Sequence, residues 1–132
     1  MRKIKILLLL SLIIGFFACK ESSKSEISKV ITVEEAHRAL ASDMEYQLID
    51  VRTVDEFKEG HLPGAVNICV TDDNFEKQLI HLDKNKPVYL YCRSGKRSAR
   101  AAEILTQKGF KEIYDVKGGI QKWQEEGFEI QD

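Results

Sequence analysis

The stretch Pro87-Val88-Tyr89-Leu90-Tyr91-Cys92-Arg93-Ser94-Gly95-Lys96-Arg97-Ser98 decides the reading of this chain. Pro87 to Tyr91 is an apolar run rich in β-formers, the pattern of a buried strand. Cys92 follows it directly. A short loop of small and basic residues comes next, and then Ala99 to Lys108, a helix-forming run with Ala101, Ala102, Ile104 and Leu105 as its apolar stripe. A thiol between a strand end and a helix start lies where anions are favoured. The first-turn N–H groups have no intrahelical partner, and the macrodipole is positive at that end. Both effects depress a cysteine pKa and favour the nucleophilic thiolate.

Outward from this segment, apolar runs alternate with amphipathic ones. Val30-Ile31 reads as a strand. Thr32 and Glu35 form a capping box that opens a helix to about Ala41. Gln47 to Val51 is a second strand, and Asp55 to Lys58 a helical turn stopped by Gly60. Ala65 to Ile68 is a third strand. Asn74 to Leu82 is a helix with Phe75, Leu79 and Leu82 on one face. Glu112 to Val116 is a further strand, and Gly118-Gly119 leads into a last helix around Trp123. Strands alternating with helices imply an α/β fold with a parallel sheet and helices on both faces. Ligands in such folds bind outside the carboxyl ends of the strands. Asp50, Cys92 and Val116-Lys117-Gly118 all fall at such ends and are expected to gather on one edge.

The N-terminus has a different character. Met1 to Lys5 is basic, and Ile6 to Ala18 is an apolar run of about 13 residues, shorter than the roughly 20 that span a bilayer. Gly15-Phe16-Phe17-Ala18-Cys19 resembles a bacterial lipobox, although Phe16 and Phe17 depart from its usual residues. The resemblance implies a lipoprotein signal peptide over 1–18 and lipidation at Cys19. It also implies a lipidated tether over 19–28 and a folded domain over 29–132. The protein is then an exported lipoprotein, anchored in a membrane by its N-terminal lipid and facing the periplasm or cell envelope. Ordinary secretory cleavage and an uncleaved anchor are the alternatives. Without the leader, 17 Lys and Arg face 21 Asp and Glu, a net charge of −4. That balance argues against general binding of nucleic acid. With three cysteines in the chain, there is no disulfide framework, and no Cys/His spacing matches a zinc site.

Three blocks resemble the rhodanese-like sulfurtransferases of single-domain type. Leu48-Ile49-Asp50-Val51-Arg52, with Glu56-Phe57 and Gly60-His61-Leu62-Pro63-Gly64-Ala65, looks like the family's central signature. Tyr91 to Ser98 looks like its active-site loop. Asp115-Val116-Lys117-Gly118-Gly119-Ile120 with Trp123 looks like its C-terminal signature. The resemblance implies a five-stranded parallel sheet and covalent chemistry at Cys92 with no cofactor or metal. The Cys92 thiolate would take sulfur from thiosulfate or a similar small anionic donor. The persulfide would then pass it to a thiol or to cyanide. Residues 93 to 97 are expected to turn their N–H groups onto the sulfur as an anion nest. Arg93, Ser94, Gly95, Lys96, Arg97 and Ser98 are the candidate substrate-binding residues, with Arg97 forked onto donor oxygens. The resemblance makes Asp50 and Arg52 supports, with Asp50 ordering the edge and pairing with a loop arginine.

Other readings compete. Cysteine phosphatases and arsenate reductases need Cys-x5-Arg, a ring sized for a tetrahedral oxyanion. Here the sixth residue after Cys92 is Ser98, and the arginine falls one place early at Arg97. A rhodanese-fold binding module without chemistry is the second alternative. Cys69 reads as a small buried apolar residue or as a resolving thiol for Cys92. His61 reads as a turn and packing residue, and Trp123 as a core anchor.

Overall fold

Val88-Tyr89-Leu90-Tyr91 is buried at every position, because it becomes the central strand of a sheet covered on both faces. The structure, a computed structural model, describes residues 26–132. The leader 1–18 and Cys19 lie outside the described residues. In chain order the elements are β1 (Ser28–Ile31), α1 (Val33–Leu40), β2 (Gln47–Asp50), α2 (Val54–Glu59) and β3 (Val66–Asn67). They continue with α3 (Phe75–Gln78), a 3-10 turn (Leu79–His81), β4 (Val88–Tyr91), α4 (Lys96–Gln107), β5 (Ile113–Val116) and α5 (Gly119–Glu125). The five strands lie in the order β1-β5-β4-β2-β3, and every pairing is parallel.

Two apolar layers sandwich the sheet. On one face Ile49, Leu90, Cys92 and Ile113 pack against Phe75, Leu79, Ala101, Ala102 and Leu105. On the other, Leu48, Tyr89, Tyr91 and Val116 pack against Val33, Ala36, Ile120 and Trp123. Alternation along each strand assigns its side chains to these layers. Trp123 closes the second layer by donating from Nε1 to the Glu129 carbonyl at 2.8 Å. The capping box at Thr32 is present, and Thr53 with Glu56 forms another at the start of α2.

Three boundaries differ from the sequence reading. The helix expected over 74–82 divides into α3 and the 3-10 turn. Asn74 accepts from Gln78 Nε2 at 2.7 Å instead of capping a backbone N–H. The helix after Cys92 begins at Lys96, three residues before Ala99, because Gly95 takes a φ of 118° and turns the chain straight into it. At the N-terminal side, Ile27 accepts from the Ile113 N–H at 2.8 Å, so the fold begins slightly before residue 29.

Candidate active site

β4 carries Cys92 to the carboxyl edge of the sheet at its centre, between β5 and β2. Residues 92–98 wrap the sulfur. The Gly95 N–H donates to Sγ at 3.0 Å, and the Ser98 hydroxyl lies 3.5 Å away. Ser98 also donates to the Gly95 carbonyl at 3.1 Å, which fixes the loop's width. Burial by itself would raise the thiol pKa. The Ser98 hydroxyl and the N–H groups of Ser98, Gly95 and Ser94 overcome that, holding it below the ordinary cysteine value. Cys92 is 1% exposed, since its side chain points into the layer under α4 and the loop closes over it. Arg93, Ser94 and Lys96 are exposed around the loop.

The loop also depends on its neighbour. The N–H groups of Ile120 and Gln121 donate to the carbonyls of Cys92 and Arg93 at 2.9 and 3.1 Å. This contact brings α5 so close that a Cβ on Gly119 would sit 2.2 Å from the Cys92 carbonyl oxygen. Gly119 therefore has no substitute without displacement of the loop.

Arg97 does not take the fork expected of it. Its NH1 and NH2 bind Glu56 Oε2 and Oε1 at 2.7 and 2.8 Å. Arg97 holds the Glu56 carboxyl down to about 2. Geometry explains the change: Glu56, in the first turn of α2, faces the first turn of α4, where the second carboxylate–guanidinium partner stands. Arg93 and Lys96 form no ion pair among the described residues, so they are the loop's uncommitted cations.

Asp50 pairs with Arg52 rather than with a loop arginine. Arg52 Nε and NH2 contact its carboxylate at 2.9 and 2.6 Å, and NH2 also donates to the Gly60 carbonyl at 2.7 Å. Asp50 lies in register with Tyr91 and on the layer opposite Cys92, so it cannot reach the sulfur. The Tyr91 hydroxyl donates to Asp50 at 2.7 Å and accepts from the Leu62 N–H at 3.0 Å. Burial, then the Asp50 charge, push the Tyr91 pKa far up. Arg52, Glu56, Arg93, Gln121 and Gln124 line a polar cleft of about 380 Å³ beside the loop.

Cys69 is 6% exposed, and its Sγ lies 3.1 Å from Thr71 Oγ1. Val70 donates to the Val51 carbonyl, and Val51 donates to the Tyr91 carbonyl. The Cys69 and Cys92 segments therefore flank the Val51 segment. Two strand spacings are about 10 Å, beyond the roughly 7 Å that a disulfide spans between Cα atoms. Both cysteines are free. His61 stacks on Phe57 with ring centroids 3.9 Å apart, which suits its expected packing role. Among the described residues no group of three or more His, Cys, Asp or Glu is placed to hold a metal. Sequence reasoning missed Tyr91 as a bridge, Glu56 as the partner of Arg97, and the burial of Asp115.

Fold and loop together define a class: single parallel α/β domains that present a cysteine within a ring of backbone amides at the end of the central strand. The model of the rhodanese-like domain matches residues 32–126, most of the chain, and the protein belongs to that family. It is 45% identical over 100 residues to the uncharacterized protein YqhL of Bacillus subtilis, covering 76% of this chain and 75% of that one. It is 32% identical over 79 residues to the thiosulfate sulfurtransferase GlpE of Shewanella oneidensis, covering 60% and 76%. A rhodanese-like domain protein from Staphylococcus aureus superposes with a TM-score of 0.68 at 35% identity, covering 79% and 99%. The fold is rhodanese-like, and its relatives include sulfurtransferases.

Proposed function

We propose that the protein is a sulfurtransferase of thiosulfate type, working through a persulfide on Cys92. The observation that carries this reading is the sulfur's setting: a buried thiol whose pKa is lowered by a hydroxyl and several N–H groups. The Cys92 thiolate attacks the outer sulfur of thiosulfate. A sulfur–sulfur bond forms to Cys92, the bond to the sulfonate sulfur breaks, and sulfite leaves with its electron pair. The charge remains on the terminal persulfide sulfur, where the same amides receive it. A thiolate or cyanide then attacks that terminal sulfur and returns Cys92 as a thiolate. Arg93 and Lys96, exposed and unpaired among the described residues, attract the dianionic donor to the loop. The relative named a thiosulfate sulfurtransferase supports this donor.

A binding module is the second reading, and the burial of Cys92 favours it. A module would have no use for a depressed thiol pKa, which favours the enzyme. Sulfite release from thiosulfate with cyanide as acceptor tests the choice. Activity is expected to disappear in Cys92→Ser and to survive in Cys69→Ser; activity retained in Cys92→Ser contradicts the mechanism. The lipid at Cys19 and an envelope location are part of the same proposal. Incorporation of labelled fatty acid into the chain, lost in Cys19→Ala, is the expected result.

A further inference from the structure

The chain enters the fold at the edge of the sheet opposite Cys92. The Ile27 carbonyl accepts from the Ile113 N–H at 2.8 Å. Ser28, Ile113, Val88 and Gln47 stand in one register row across β1, β5, β4 and β2. All the strands are parallel, so this row is the amino edge of the sheet. Cys92 lies four residues beyond Val88 along the chain, about 13 Å at the rise of a strand. Residues 20–27 are eight in number, and eight residues reach at most about 29 Å. A lipid on Cys19 therefore keeps the Ile27 end of the domain within that reach of a bilayer.

Two loops lie on the same edge. Residues 82–87 lead into β4, and residues 108–112 lead from α4 into β5. They are joined by the Lys111 N–H, which donates to the Lys84 carbonyl at 3.0 Å. Beside them the 3-10 turn opens an apolar basin of about 520 Å³, lined by Leu79, Ile80, Leu82 and Phe110. Ile80 is 80% exposed, the most exposed large apolar side chain among the described residues, and Ile27 at the chain's entry is 45% exposed. Two lysines of this edge are paired, Lys108 with Glu76 and Lys86 with Glu45. Three more, Lys77, Lys84 and Lys111, are exposed and make no ion pair among the described residues. Of the acids interleaved with them, Asp83 accepts from the Asn85 N–H at 2.8 Å, Glu112 accepts from the Tyr114 hydroxyl, and Glu26 is exposed. An exposed isoleucine over an apolar basin, flanked by free lysines, suits a lipid interface: the apolar group enters it and the cations meet anionic headgroups.

We propose that the amino edge, from the chain's entry at Ile27 to the Ile80 basin, is a docking surface for an anionic bilayer, with Ile80 set among the headgroups and the Cys92 loop turned away from the membrane. This rests on the reading that the N-terminus is anchored at Cys19. The anchor supplies proximity, and the edge supplies orientation. An anchor at one point does not set which side of the domain meets the lipid; Ile80 and the three lysines do. The orientation serves the proposed chemistry. An anionic surface repels a dianionic donor over about a Debye length, ~8 Å at physiological ionic strength. Cys92, about 13 Å beyond the amino row, stands outside that layer, with Arg93 and Lys96 exposed beside it.

The test is lysine footprinting of the full chain, as produced in a bacterial host, on lipid vesicles. A water-soluble acylating reagent marks the amines, and peptide mass spectrometry reads them. Vesicles of phosphatidylglycerol are compared with vesicles of phosphatidylcholine. Lys84 and Lys111 are expected to acylate several-fold more slowly on phosphatidylglycerol, while Lys96 and Lys117 at the carboxyl edge acylate equally on both. Ile80→Asp, an exposed position away from the sulfur site, is expected to remove that protection and to leave the rate of Cys92 alkylation unchanged. Equal acylation of Lys84 and Lys111 on the two vesicles overturns the proposal, as does protection of Lys96 in their place. Protection in native membranes but not on phosphatidylglycerol also overturns it and assigns the edge to a protein partner. Flotation separates this proposal from the anchor. A chain that floats with both vesicles without differential acylation refutes the docking surface and leaves the anchor standing. A chain that floats only with phosphatidylglycerol, with Lys84 and Lys111 protected, refutes the anchor and supports the surface.

Discussion

The Cys92 sulfur is stabilised by dipoles rather than by a paired cation. The loop arginine nearest in sequence to a phosphatase arginine is tied to Glu56, and the groups that lower the thiol pKa are Ser98, Gly95 and Ser94. Because the pKa is depressed, the thiolate persists to lower pH than in a free cysteine, and reactivity falls only as pH drops through the lowered value. Ser98→Ala removes a hydrogen bond to a charged group, worth roughly 1.5–3 kcal/mol. It should move the acid limb of the alkylation profile to higher pH and slow alkylation about tenfold on that limb. An unmoved profile would show that the N–H groups suffice alone. At this scale the sequence was legible where chemistry sits in one segment, as in 92–98. It was not legible where partners meet across elements: Asp50 was expected to reach a loop arginine, but strand alternation turns it to the opposite layer.

Among elements, the contact of α2 with α4 through Glu56 and Arg97 holds the loop from one side, and α5 holds it from the other. The Glu56 pKa in the fold is about 2, below its unfolded value of about 4.3. The pair therefore contributes stability above that unfolded value, and the contribution is lost as pH falls toward 2. Both side chains are partly exposed, so solvent screening reduces the contribution to about 1 kcal/mol. Glu56→Gln should unfold more easily than the unmodified chain at pH 7 in urea titrations, and the two should converge near pH 2. A constant difference across that range would assign the effect to something other than charge. On the α5 side, Gly119→Ala should cost about 3 kcal/mol or displace the loop, measured by urea titration together with the alkylation rate of Cys92. Unchanged values for both would mean that α5 does not brace the loop. The α2 start carried a readable signal, Thr53 three residues before Glu56 as a capping box. That signal fixed the helix but not the second use of the same carboxylate. The break in the helix over 74–82, between Gln78 and Leu79, had no such signal.

For the whole molecule, a parallel sheet covered on both faces separates two roles. The layer under α4 holds Cys92, Ser98 and Asp115, and the other holds the Asp50–Arg52–Tyr91 network that fixes the ends of β2 and β4. Fold class and strand number followed from alternation and turn residues, since those patterns are local. Strand order did not, because it depends on which strands meet. That order puts the Val51 segment between the Cys69 and Cys92 segments. Mild oxidation of the chain should therefore leave no Cys69–Cys92 disulfide in non-reducing mass spectrometry, and such a crosslink would mean that the backbone there moves by several ångströms. The central claim is that Cys92 accepts and carries a sulfur atom. Intact and peptide mass spectrometry after treatment with thiosulfate, without an acceptor, reads this directly. The account predicts a gain of about 32 Da on the Cys92 peptide, reversed by cyanide, as covalent catalysis through a persulfide requires. An unmodified Cys92 beside released sulfite, or the added mass on Cys69, would contradict it.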